Sequence, residues 1–202
     1  MLGLPGNTEI KRRIPKETIQ KKFQMDTNIR KHFDDEIKSM TIIHEISPKT
    51  MNVTEGDVVK NIFVIRIILK TDTYDEKNIG LIARLINQPM LFVLTFNDKA
   101  CLAVYNRKLF SSPWQLEEKL KISLTGQKLD EIWDDLQAQV GNIKIENGRN
   151  LDQQLELDEK RKQLQIKIER LEKQVRTEKQ PKKKFELVEE KKALEKNLKT
   201  LI

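Results

Sequence analysis

Apolar positions in the first 150 residues fall in short runs of two kinds. Met40 to Ile46, Asn61 to Leu69, Met90 to Phe96 and Ala100 to Tyr105 are rich in β-branched and aromatic residues and predict strands, with Leu120, Ile122 and Leu124 a weaker fifth. Asn97-Asp98, between the third and fourth runs, marks a hairpin, because Asn and Asp tolerate left-handed backbone. The second run is apolar at nearly every position, the pattern of a central strand buried on both faces. Helical spacing appears in three other places: Glu17 to Phe23 continuing through Asn28 to Ile37, Asp75 to Ile86, and Leu129 to Val140. The order predicts an α+β fold with a mixed, mainly antiparallel sheet of about five strands and helices over one face.

Beyond residue 150 the period changes to heptads. Leu157, Leu164, Ile168, Leu171 and Val175 form one stripe and Leu187, Leu194, Leu198 and Leu201 a second, as in the seam of a left-handed coiled coil. Pro181 lies between them and cannot continue a helix, so the segment reads as an antiparallel coiled-coil hairpin. Closure between two chains as a homodimer is the alternative. Turn residues Gly141-Asn142 and Asn147-Gly148-Arg149-Asn150 mark the linker. The expected division is an α+β core over 1–148 and a helical hairpin over 149–202.

Charge sharpens this boundary, for half of residues 151–202 are charged. The whole chain of 202 residues carries 38 Lys plus Arg against 31 Asp plus Glu, a formal charge of +7. Two clusters stand out. Lys11, Arg12, Arg13 and Lys16, with Lys21 and Lys22 after them, surround the first helix start; Arg176, Lys179, Lys182, Lys183 and Lys184, with Gln180, occupy the hairpin turn. Such clusters neutralise phosphates or meet acidic protein surfaces, but they also serve simply as solvated faces. The turn cluster has no interleaved aromatics, which single-strand binders usually add to charge.

Catalytic signatures are sparse. One cysteine, Cys101, excludes an internal disulfide, and two histidines, His32 and His44, offer little to a His-based metal centre. Leu2-Gly3-Leu4-Pro5-Gly6 lacks the spacing and the Lys-Ser/Thr of a phosphate loop. Asp34, Glu36 and Lys38 have a nuclease-like spacing but lie on a predicted helix, where i and i+2 diverge. Glu45, Glu55, Asp57 and Asp72 flank the central strands and form the better acid set for a divergent Mg²⁺ nuclease. No catalytic residue, metal ligand or cofactor is assigned. The absence of a long apolar run and of a secretory signal predicts a cytoplasmic protein with no membrane contact.

Several stretches together resemble a known bacterial family: Leu4-Pro5-x-x-Thr8, Arg13-Ile14-Pro15-Lys16, the helix ending Phe33 to Ile37, Pro48-x-Thr50-x-Asn52, Pro89-Met90-Leu91-Phe92, and Glu178-Lys179-Gln180 with Lys184. The family is domain of unknown function 4391, and the resemblance spans nearly the whole chain, departing from the pattern at Pro181 and at Ile42-Ile43-His44. It implies a setting beside DNA methylases and helicase-type restriction subunits in restriction-modification or phage-defence loci. The resulting expectation is a non-catalytic accessory or adaptor protein bound to a helicase or methylase. Direct nucleic-acid binding, to DNA or RNA, through the basic clusters is the alternative, and the nuclease a third reading.

Overall fold

The computed structural model describes residues 2–146 and 149–201, and its chain divides into two compact units, 1–144 and 145–202. Asn147 and Gly148 of the expected linker lie outside the described residues.

The first unit is built on a sheet with the path β1(Glu9–Ile14), β2(Ile37–Ile46), β3(Ile62–Leu69), β4(Met90–Phe96), β5(Lys99–Asn106), β6(Lys108–Ser111), and with β7(Gln115–Leu116) also pairing with β5. Among the described residues the sheet has seven strands. Every pairing is antiparallel except β3 with β4, where Phe63 to Ile68 run parallel to Met90 to Thr95. A parallel neighbour needs a crossover, and α3(Glu76–Ala83) lies within it. The β4–β5 hairpin turns at Asn97, which takes φ 53°, as the Asn-Asp signal predicts.

Strand alternation sends side chains to opposite faces, and both faces are covered. On one, Ile65, Ile67, Phe92 and Leu94 pack with Ile19 of α1(Lys16–Lys22), Phe33 of α2(Thr27–Glu36) and Ile79 and Ile82 of α3. On the other, Val64, Leu91, Val93 and Leu102 pack with Leu129, Ile132, Leu136 and Val140 of α4(Leu129–Gly141), and with Leu2, Leu120 and Ile122. The expectation of a single covered face is therefore corrected: α4 lies opposite the other three helices. This explains the unbroken apolar run of β3, since both of its faces meet core.

Other boundaries also shift. The first helical segment is two helices, because Gln24 adopts φ 45° and Asp26 begins a new helix by accepting the Ile29 N–H at 2.9 Å. The expected strand at Leu120 to Leu124 is not formed; Lys121 makes only an isolated bridge to Leu2, and Leu120 and Ile122 are buried from an extended loop. In its place β1, β6 and β7 complete the sheet. Trp114 lies beside Tyr74, ring centroids 6.4 Å apart, and covers an edge of the core.

The second unit contains α5(Leu151–Thr177) and α6(Pro181–Thr200), which pack on each other as a helical hairpin. Asn150 and Gln153 cap α5 reciprocally, each side chain accepting the other's backbone N–H, at 2.9 and 3.1 Å. Pro181 occupies the first turn of α6, where its missing N–H leaves nothing unsatisfied.

Candidate functional site

β1 carries Lys11, Arg12 and Arg13 along an edge of the sheet, since among the described residues its one sheet neighbour is β2. Ile14 and Arg12 pair with Met40 and Ile42, and the register shifts between Glu9 and Arg12. Lys11 pairs with Glu9 at 3.1 Å in an exposed ion pair, a contact worth little in water. Arg12 and Arg13 are exposed and make no ion pair among the described residues. Lys16 differs: its ammonium meets Asp34 at 3.1 Å, Gln20 donates to the same carboxylate at 3.2 Å, and together they tie α1 to α2. Lys22 donates to the carbonyls of Arg84 and Leu85. The N-terminal cluster thus separates into structural cations, Lys16 and Lys22, and uncommitted ones, Arg12, Arg13 and Lys21.

The hairpin turn retains its charge. Lys179, Lys182, Lys183 and Lys184 are exposed and have no carboxylate partner among the described residues, whereas Arg176 is held by Glu172 at 2.8 Å, one helical turn back. Gln180 precedes Pro181, and its N–H donates to Glu178 at 2.8 Å, which shapes the turn. Four uncommitted ammonium groups within six residues form a concentrated positive site that polyanions or acidic surfaces would meet.

Every apolar seam residue is at least half-buried: Ile168 and Leu171 are buried, and Leu157, Leu164, Val175, Leu187, Leu194, Leu198 and Leu201 are intermediate. The two places where the heptad count skips an apolar residue were not recognised as functional from sequence. They hold Arg161 in α5 and Lys191 in α6. The Arg161 guanidinium donates to Glu146 at 2.7 Å and to the Leu201 carbonyl at 2.9 Å, clasping the end of the hairpin opposite the turn. Its hydrogen bond holds the Glu146 carboxyl below the usual range. Lys191 reaches Glu195 at 3.5 Å. A cation at a four-residue step after a seam Leu is the signal that locates both, because a long stem covers apolar surface while its charge stays wet. Ile166 and Phe185 lie outside the seam with large exposed side chains, 56% and 67%.

The acid sets disperse. Asp34 and Glu36 are on α2, and Lys38 follows in β2. Glu55 pairs with Lys60 at 3.5 Å, while the N–H groups of Asp57 and Val59 donate to Asp130 at 2.6 and 2.7 Å, pinning their loop to α4. Glu45 is half-buried opposite Phe63, and Asp72 lies in the turn after β3. Among the described residues no three His, Cys, Asp or Glu side chains gather as a cation site. His44 is buried, its Nδ1 2.9 Å from the Thr8 hydroxyl; because that hydroxyl donates to the Pro5 carbonyl at 2.7 Å, Nδ1 serves as the donor to it. Cys101 is buried, and burial pushes its thiol up to about 12. A thiol so resistant to ionisation is a packing residue, not a nucleophile.

These elements define an α+β unit followed by a helical hairpin. The family described as Domain of unknown function (DUF4391) matches residues 2–198, and the chain belongs to that family. No curated protein and no solved structure matches it. Among the described residues no helix is long and apolar enough to cross a membrane.

Proposed function

We propose that the protein is a non-catalytic accessory component of a bacterial DNA-processing complex of the restriction-modification or phage-defence kind, docking through its helical hairpin onto a helicase or methylase. The observation that carries this reading is the division of labour within the hairpin: one seam is satisfied internally, while Ile166, Phe185 and four uncommitted lysines at the turn face outward. Large exposed apolar groups beside charge are ordinary components of protein-binding surfaces. The dispersal of the candidate acids supports a binding role over a cleaving one.

The test is capture of native complexes on the tagged chain, with nuclease present, comparing wild type with a Phe185→Ser variant. A stoichiometric helicase or methylase that survives nuclease and is lost with Phe185→Ser is the expected result. Recovery of no such protein overturns the reading.

The uncommitted Lys179, Lys182, Lys183 and Lys184 favour a second reading, direct nucleic-acid binding at the turn. With about four phosphate contacts, affinity should fall about a hundredfold between about 50 and 200 mM salt. Replacing the four lysines with serine should abolish it; absence of any shift at low salt overturns this alternative.

A further inference from the structure

We propose that the first unit binds a nucleoside phosphate in the groove bounded by α2, α3 and the β5–β6 turn. This inference is independent of the partner reading above and uses none of its residues.

The groove has a volume of about 850 Å³, within the range of small-molecule sites. One wall is α3, and its ends differ. At its start lie His32, Asp75 and Asn78; about 12 Å further along the axis lies Arg84. Across from α3 the β5–β6 turn contributes Tyr105, Arg107 and Lys108. A Cβ on Gly80 would stand 3.0 Å from the Tyr105 ring, so glycine at that position is what lets the ring lie against the helix. An aromatic face of this kind accepts any nucleobase by stacking.

The cations are available for an anion. Arg84 uses its Nε on the Gly80 carbonyl at 3.0 Å and lies over the Phe23 ring, centroid at 5.9 Å, without a carboxylate partner among the described residues. Lys108 lies over Phe110, centroid at 5.1 Å, and Arg107 makes no ion pair or side-chain hydrogen bond among the described residues. Fork-shaped guanidinium groups match phosphate oxygens in pairs. Asp75 and Glu76, the acids of the groove, belong to the other end of α3, and Asp75 is occupied by the Lys77 N–H at 2.8 Å.

A second, independent observation lies at that polar end. Glu36 is 7% exposed and lines an adjoining cavity that shares His32 and Asp75 with the groove. Its Oε2 accepts the Asp75 N–H at 2.7 Å, and the side chain of Asn78, a lining residue of the groove, hydrogen-bonds the same carboxyl. Held this way, Asn78 places an amide beside His32 at the polar end, and an amide can meet the hydrogen-bonding edge of a nucleobase. The groove thus offers a polar end, an aromatic surface and a cationic end, the three features a base joined to phosphate would use.

Calorimetric titration of the full chain with GTP, ATP and inorganic tripolyphosphate tests this. Arg107 has φ 60°, a conformation glycine adopts without strain, so Arg107→Gly removes the charge while leaving the turn intact. The expected results are saturable nucleotide binding at least tenfold tighter than tripolyphosphate and a loss of about tenfold or more in Arg107→Gly with no fall in thermal midpoint. No saturable binding of either nucleotide, equal affinity for tripolyphosphate, or unchanged nucleotide affinity in Arg107→Gly overturns the proposal.

Discussion

The two units of this chain solve the burial problem in opposite ways. In the first, a sheet is sandwiched between helices, and β3 to β5 are apolar on both faces; Ile65, Phe92, Val93 and Ala103 are wholly buried. In the second, two long helices share one seam in which, among the described residues, only Ile168 and Leu171 are buried apolar positions, joined by Leu151 at the start of α5. Stability in the first unit is concentrated in a close-packed interior; in the second it is spread along a stripe, with clasps at Arg161 and caps at Asn150. A substitution is therefore felt globally in one unit and locally in the other.

The largest expected effect breaks that contrast if it fails. Phe92→Ala should lower the stability of the first unit by about 3–5 kcal/mol, and the seam change Leu171→Ala that of the hairpin by about 2 kcal/mol, both followed by denaturant unfolding. Native-state labelling of Cys101 separates the units: Phe92→Ala should accelerate it, and Leu171→Ala should leave it unchanged, since the thiol is exposed only when the first unit opens. Equal acceleration by both would show the units unfolding as one.

A smaller effect depends on pH. Burial pushes His44 below its ordinary value of 6.5, partly opposed by Glu9, so the folded chain keeps the ring neutral where the unfolded chain protonates it. The unfolded state then binds more protons, and stability falls as pH drops below about 6.5 toward the depressed value. Thermal midpoints measured through that window should decline with acid, and His44→Gln should flatten the decline. Smallest of all, Pro181→Ala should change hairpin stability by less than about 0.5 kcal/mol, because the residue sits where a helix needs no N–H; its helicity by circular dichroism should be unaltered.

Sequence pattern served the two units unequally. The helical hairpin was legible in outline, because its information is local: leucines at fixed steps and a proline at the break; the cap that Asn150 and Gln153 form at its start was read only as a turn. In the first unit the interior strands were legible from their apolar runs, but β1 was not, since Lys11, Arg12 and Arg13 are free to be charged on an edge strand and so erase the alternation. The converse error occurred at Leu120 and Ile122, which alternate like a strand but reach the core from a loop. That α4 lies on the opposite face from α3 could not be read from either helix, for an apolar stripe says that a face is buried and not which side of the sheet buries it. The basic clusters were visible as clusters; what divided Lys16 from Arg12 was Asp34, eighteen residues on in sequence and 3.1 Å away in space. Glu36 was noted only for its spacing to Lys38, and its burial beside Asp75 depends on a long-range contact.

The placement of α4 also bears on how the chain is made. Strands β2 to β5 are complete by Asn106, yet the helix that shields Val64, Leu91, Val93 and Leu102 begins at Leu129. During synthesis one side of the nascent sheet can acquire α1, α2 and α3 while its reverse remains bare for more than a further helix length of translation. That interval leaves an apolar β surface without its cover, the condition under which nascent chains in general are prone to aggregate.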